Sequence, residues 1–290
     1  MRVLVTGSTG QLGRELLRRA PAGVTVLAPA REALEMAGTQ LEESVVALAP
    51  QLILNAAAYT AVDRAESERE AAFAVNARAP AAIARAAAQL GARLLHVSTD
   101  FVFDGSASRP YRPDAPMAPL GAYAESKAEG ERGVSAILPD AVVLRTAWVY
   151  AAHGANFART MLRLMRERER IGVVADQIGT PTWARGLAAA AWELGLAGDA
   201  KGIWHWTDLG VASWYDFAVA IREEALERGM LPRAACVDPI RTEDYPTPAR
   251  RPHYSVLDKS ATLARLRAPR CHWREALRGM LDELAATGGS

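Results

Sequence analysis

The apolar run Arg2-Val3-Leu4-Val5-Thr6 passes straight into Gly7-Ser8-Thr9-Gly10-Gln11-Leu12-Gly13 and then into Arg14-Glu15-Leu16. A β-rich run, a glycine-spaced turn and the start of an amphipathic stretch read as strand, tight turn and helix. In this GxxGxxG spacing Gly7 permits the turn, Gly10 lets backbone approach a ligand, and Gly13 lets the helix pack close to the strand. A parallel strand needs a crossover before its neighbour, so an opening of this kind commits the chain to βαβ units.

The following residues keep that alternation. Candidate strands run over Arg2–Thr6, Val24–Ala28, Leu52–Asn55, Arg93–Val97 and Ala141–Arg145, as continuous apolar runs suited to a sheet buried on both faces. Candidate helices lie between them at Gln11–Ala20, Gln40–Leu48, Glu66–Leu90 and Tyr123–Leu138, the third expected to break or kink at Pro80. After Tyr150 the alternation fades and aromatic clusters appear at Trp204-His205-Trp206 and Trp214-Tyr215. Helices are expected there at Phe157–Arg168, Ala184–Leu196, Ser213–Glu227 and Trp273–Leu284, with a loose end over Ala285–Ser290. The fold class is therefore α/β: a doubly wound parallel (Rossmann) sheet over residues 1–150, and a smaller mixed α/β domain over 151–290 that carries the substrate side. Some segments of the second part are expected to return to the first.

Composition excludes several partners. Lys and Arg together number 34 against 33 Asp and Glu, a formal net charge of +1, which draws the chain toward neither nucleic acid nor a membrane surface. No apolar window is long enough for a membrane span, and Val3-Leu4-Val5 is too short for a signal peptide. Cys236 and Cys271 form no CxxC or metal-ligand cluster. A reduced, cytoplasmic protein is expected. Only Lys127, Lys201 and Lys259 are lysines, so arginine carries nearly all the positive charge and each lysine invites a reason.

The glycine turn at a helix N-terminus suits a pyrophosphate. Which dinucleotide it belongs to depends on the end of the second strand, where Asp or Glu would accept the 2′-hydroxyl of NAD. Here that end reads Leu27-Ala28-Pro29-Ala30-Arg31, with no carboxylate. Arg31 can pair with the 2′-phosphate of NADP, or be a solvated arginine turned to Glu32 and Glu35. The first reading predicts a preference for NADPH without exclusion of NADH.

Tyr123 and Lys127 stand four apart in a helical stretch, and Ser98-Thr99-Asp100 ends a strand before them. An ammonium beside a phenol favours the phenolate and should lower the tyrosine pKa, making Tyr123 a usable proton donor. Thr99 would offer a hydroxyl to the same substrate oxygen, at the strand edge where open α/β sheets bind ligands.

Together these residues resemble the extended short-chain dehydrogenase/reductases, and within them the dTDP-4-dehydrorhamnose reductases. The resemblance is carried by Val5 to Gly13, by Asn55-Ala-Ala-Ala-Tyr-Thr-Ala-Val-Asp63 with Asn76, by Ser98 to Gly105 and by Tyr123 to Lys127 with Gly130-Glu131. Further along it is carried by Arg145 to Tyr150, Asp176-Gln-Ile-Gly-Thr-Pro-Thr182, and Arg251-Pro252 with Ser255 and Leu257-Asp258. It implies NADPH-dependent reduction of the C4 ketone of dTDP-6-deoxy-L-lyxo-4-hexulose to dTDP-L-rhamnose. By the same resemblance Tyr123 protonates the forming alkoxide, Lys127 holds the nicotinamide ribose, and Thr99 assists at the carbonyl oxygen. Cofactor contacts fall on Gly7, Gly10, Gln11, Leu12, Gly13, Ala58, Tyr59 and Thr60, with Glu35 and Met36 near the adenine. Sugar contacts fall on Thr99, Asp100 and Trp148, the last offering an aromatic face; from the residues alone, Arg251 beside Arg250 can grip the diphosphate or be a solvated surface arginine. Phe101 stands where family members often have tyrosine. Some members hold magnesium through glutamates at a dimer contact. Glu15 matches one such position, but no partner carboxylates are evident, so it is read as a first-turn helix-dipole residue and no metal site is assigned. A homodimer is left open.

Two other readings compete. A sugar-nucleotide epimerase or dehydratase would retain NAD and need an acidic ribose ligand; a non-catalytic NADP-binding regulatory subunit would have no use for Thr99, Tyr123 and Lys127 together.

Overall fold

The computed structural model describes residues 1–287. The first part runs β1 (Arg2–Thr6), α1 (Gln11–Arg18), β2 (Thr25–Leu27), α2 (Leu41–Leu48), β3 (Leu52–Asn55), α3 (Val62–Ala65), α4 (Arg69–Phe73), α5 (Ala79–Leu90), β4 (Arg93–Thr99), α6 (Ala122–Ile137) and β5 (Val142–Thr146). The second runs β6 (Val149–Tyr150), α7 (Phe157–Glu167), β7 (Arg170–Val174), β8 (Ile178–Gly179), β9 (Thr182–Trp183), α8 (Ala184–Leu196), β10 (Gly202–His205), β11 (Ala212–Ser213), α9 (Trp214–Glu227), β12 (Cys236–Ile240), α10 (Ser260–Arg265) and α11 (Trp273–Ala286).

Six strands form one parallel sheet in the order β2-β1-β3-β4-β5-β10. Alternate residues of these strands face opposite layers. Val3, Val5, Leu52, Leu54, Leu95, Val142 and Leu144 pack beneath α1 and α8, whose Leu16, Leu187, Ala191 and Leu194 are fully buried. Leu4, Ile53, Leu94 and Val143 pack on α2, α5 and α6 through Val45, Ile83, Ala87 and Val134. The sheet is thus covered on both sides, which explains its unbroken apolar strands. From β1 the order runs one way to β2 and the other way to β3, and a crevice opens at the strands' carboxyl ends at such a reversal.

α8 and β10 lie after Tyr150 yet belong to this sheet and its cover. Leu263 of α10 and the following Leu266 also pack with the main sheet, and Leu257 packs with Phe103 and Tyr111; the rest of the second part gathers around Phe217, Trp273, Leu277 and Met280, with short pairs β7–β12, β8–β11 and β6–β9.

Three local expectations need revision. The helix expected over Glu66–Leu90 is interrupted by a π-turn at Ala74–Arg78, just ahead of Pro80 at the start of α5. Pro80 has no N–H for the Asn76 carbonyl four residues back, and that carbonyl instead meets Gly130 of α6, where a Cβ would stand 2.0 Å from it. β4 extends two residues beyond Val97, pairing Ser98 with Arg145 and Thr99 with Thr146, so that Thr99 is its last residue. The end expected to loosen from Ala285 stays helical to Ala286, where the Thr287 hydroxyl donates to the Glu283 and Leu284 carbonyls; residues 288–290 lie outside the described residues.

Candidate active site

The glycine turn is built as its spacing demands. Gly7 has φ +65°, and a Cβ there would stand 2.7 Å from the Ala57 nitrogen; a Cβ on Gly13 would stand 2.0 Å from the Gly7 oxygen. Neither position admits a side chain. Gly10 is the N-cap of α1 and contributes no side-chain cap, so the first-turn N–H groups remain available to an anion.

One cleft of about 880 Å³, within the ordinary range for ligand sites, is lined by the candidate catalytic, cofactor and sugar residues named from the sequence, Arg251 among them; the exposed Arg250 does not line it. Gly7, Gly10, Gln11, Leu12 and Gly13 line it near β1; Arg31, Glu35 and Met36 line it after β2; Ala58, Tyr59 and Thr60 line it after β3. Thr99, Asp100, Tyr123, Lys127, Trp148 and Arg251 complete it. A phosphate-accepting helix end and a nearby guanidinium fit a phosphorylated dinucleotide.

Several side chains are held by partners that the sequence did not disclose. Asn76 clamps the loop after β3, accepting from the Tyr59 N–H at 2.8 Å and donating to the Tyr59 carbonyl and the Ser126 hydroxyl at 3.0 Å each. The Tyr59 hydroxyl donates outward to Glu68 at 2.6 Å. Gln11 Oε1 accepts from Asn156 Nδ2 at 2.9 Å, bringing the start of α7 against α1. Arg251 makes a two-point ion pair with Asp63 at 3.0 and 2.7 Å, joining positions far apart in the chain at the cleft wall.

At the end of β4 Thr99 donates to Asp100 Oδ1 at 3.0 Å and accepts from the Phe101 N–H at 3.2 Å. Burial pushes the Asp100 carboxyl up to about 6, against the pull of the Ser255 and Thr99 hydroxyls. The Phe101 ring stands edge-on to Tyr123, centroids 5.7 Å apart. Lys127 is buried and its ammonium donates to the Val97 carbonyl at 2.7 Å; desolvation brings it down to about 8.

The expectation that Lys127 lowers the Tyr123 pKa does not hold in this structure. Desolvation dominates and pushes the phenol up to about 12, with the Thr99 hydroxyl pulling it down and the Asp100 charge pushing it up. The Lys127 ammonium is spent on a carbonyl rather than on the phenol.

Trp148 has φ +47°, and its ring lies flat on Trp214, centroids 3.5 Å apart and planes within 6°. Trp214 and Phe157 also line the cleft. Their aromatic character was visible in the sequence, but nothing there tied them to Trp148.

Glu15 is not a first-turn residue. It lies buried in the second turn of α1, facing Arg18 at 3.0 Å and Arg19 at 3.7 Å. Glu15, His153 and Glu283 bring ligand atoms within 4.8 Å of one another, but Arg18 Nη1 already bridges the two carboxylates, at 3.0 and 2.6 Å. A guanidinium stands where a cation would sit, so this donor set does not fit a metal ion.

The chain matches the family model described as the RmlD substrate binding domain over residues 1–286. It is 42% identical over 288 residues to a dTDP-4-dehydrorhamnose reductase of Burkholderia thailandensis, spanning 96% of this chain and 97% of that protein. A dTDP-4-dehydrorhamnose reductase structure from Clostridium acetobutylicum superposes with a TM-score of 0.92 at 36% identity, covering 98% of this chain and 100% of that one. Another, from Bacillus anthracis in complex with NADP, gives 0.90 at 33% identity, covering 97% and 99%.

Proposed function

The chain belongs to the RmlD substrate-binding-domain family, and from that membership we propose that it is an NADPH-dependent reductase acting on the C4 ketone of dTDP-6-deoxy-L-lyxo-4-hexulose to give dTDP-L-rhamnose. The observation that carries the reading is one cleft with a phosphate-accepting helix end at one side and Thr99, Tyr123 and Lys127 at the other.

NADPH, when bound, supplies the hydride. The uncapped start of α1 binds the diphosphate, and Arg31 pairs with the 2′-phosphate. Lys127 has three donors and spends one on the Val97 carbonyl, leaving two for ribose hydroxyls. The Tyr123 phenol, pushed up to about 12, keeps its proton throughout the neutral range. A sugar alkoxide is a stronger base than a phenolate, so the proton moves from the Tyr123 oxygen to the C4 oxygen as that oxygen gains charge. Thr99 and Asp100 hold the sugar beside Tyr123, with Trp148 in the same cleft and Arg251 toward the diphosphate. Cys236 and Cys271 are both free thiols, in keeping with a cytoplasmic setting. Among the described residues no helix is long and apolar enough to cross a membrane.

The test is incubation with NADPH and the 4-keto sugar nucleotide, following NADPH consumption and identifying the product. The reading expects one dTDP-L-rhamnose per NADPH oxidised. Isomerised sugar with no net NADPH oxidation would identify an epimerase, and no turnover would remove the reductase reading.

A further inference from the structure

Trp148 is one of two non-glycine residues with positive φ among the described residues, at +47°. The other, Ala49, caps the end of α2, where a left-handed residue is ordinary. A bulky residue in that region is a genuine outlier and needs its surroundings to hold it. Its carbonyl accepts from the Thr182 N–H at 3.1 Å. Its ring is held by two further residues.

On one side is Trp214, stacked at 3.5 Å between centroids. Trp214 is in turn backed by Phe157 at 4.6 Å, and Phe157 stacks on Phe217 in the second core. Ser213 and Asp216 form a capping box that fixes the start of α9, where Trp214 sits. On the other side is Gly179. A Cβ there would stand 2.6 Å from Trp148 Cε2 and 2.8 Å from both Nε1 and Cζ2. Near-equal distances to three adjacent ring atoms put that position over the ring face, not beside its edge. Gly179 has no positive φ, so its backbone does not require glycine; the Trp148 ring does. This gives a purpose to the Gln177-Ile178-Gly179-Thr180-Pro181-Thr182 block, which supplies both Gly179 and the Thr182 N–H.

With both ring faces covered, Trp148 can meet a ligand only with its edge. We infer that Gly179 and Trp214 are positioning residues for sugar recognition: they clamp the Trp148 indole from its two faces, so that its edge meets the hexulose ring of the nucleotide sugar. The clamp's effect is then expected on the sugar and not on the dinucleotide. This rests on the reductase reading for the identity of the sugar.

The experiment compares wild type with Gly179→Ala, Trp214→Ala and Trp214→Phe. Steady-state kinetics in each substrate are paired with the far-ultraviolet circular dichroism exciton couplet that two closely stacked indoles produce. Gly179→Ala and Trp214→Ala should raise KM for the nucleotide sugar about tenfold, with kcat within about threefold and KM for NADPH unchanged. Trp214→Phe removes one indole and so the couplet, but keeps a flat ring against Trp148, and its KM should stay within about threefold of wild type. An unchanged sugar KM in Gly179→Ala or Trp214→Ala overturns the inference, as does a parallel rise in the NADPH KM. If Trp214→Ala does not fold, Gly179→Ala decides from the opposite face. A wild-type enzyme inactive on the sugar nucleotide sinks the reductase reading instead. The clamp is then judged by the couplet, and one that Gly179→Ala leaves unchanged overturns it.

Discussion

Asp100, Tyr123 and Lys127 have a counterpart in this chain that does none of their work. Asp208 and Tyr150, both buried, and the half-buried Lys259 form a second set of the same residue types. Burial pushes Asp100 up to about 6 and Asp208 up to about 7. It raises the phenol of Tyr123 to about 12 and that of Tyr150 well above its ordinary value. It brings Lys127 down to about 8 and lowers Lys259 as well. The first set lines the cleft and the second does not. Asp208 Oδ2 accepts from the Trp183 N–H at 2.9 Å and Lys259 donates to the Thr207 hydroxyl at 2.9 Å, so the second set ties loops together. Perturbed ionisation marks burial; access to a ligand is what turns it into chemistry.

The sharpest way to break this contrast is to remove one hydroxyl from each set. Tyr123→Phe should lower kcat by about 10²–10⁴ while NADPH binding, followed by fluorescence titration, survives; Tyr150→Phe should leave kcat within about threefold. The lysines come next. Lys127→Arg should cost about tenfold to a hundredfold in kcat/KM, because a planar guanidinium cannot replace a compact ammonium on the Val97 carbonyl and the ribose; Lys259→Arg should keep its activity.

Dependence on pH separates the sets further. Activity needs the Lys127 ammonium and should fall as pH rises through about 8. Asp208 acts on stability instead. Its folded pKa lies above the ordinary carboxyl value, so the folded state binds a proton that the unfolded state has lost. The resulting penalty is absent in acid, grows as pH rises toward about 7, and is constant above it. Asp208→Asn keeps an oxygen for the Trp183 N–H and should raise Tm by about 2–4 °C or more at pH 8, with a smaller gain at pH 5. An equal gain at both would mean that Asp208 is not titrating as its burial implies. The smallest effect belongs to Arg31→Ala, which should reduce the NADPH-to-NADH ratio of kcat/KM about tenfold and leave the NADH value unchanged.

How far the sequence could be read follows from how local each cause is. The strands of the main sheet announce themselves because both faces are buried, and the glycine turn because Gly13 meets the Gly7 carbonyl within the motif and Gly7 itself takes a positive φ. The gathering of Thr99, Tyr123 and Lys127 was legible because Tyr123 and Lys127 share one helix face and Thr99 ends the neighbouring strand. Strands of two residues, such as β6, β8, β9 and β11, carry no period to detect. The pairing of Asp63 with Arg251, the bridge of Arg18 between Glu15 and Glu283, and the need for glycine opposite Trp148 join distant positions, and no spacing predicts them. The Tyr123 pKa went the other way because burial of the phenol, set by packing from several elements and not by helical spacing, dominates it.

Transfer of deuterium tests the central claim most directly. Wild type and Tyr123→Phe would each be given the 4-keto sugar nucleotide and NADPH deuterated at its transferable position, and the product read by NMR. Deuterium at C4 of the product sugar from wild type, with at most about a hundredth of that rate from Tyr123→Phe, is the result expected of a reductase whose acid is Tyr123. Product without deuterium at C4, or labelling by Tyr123→Phe at the wild-type rate, would contradict it.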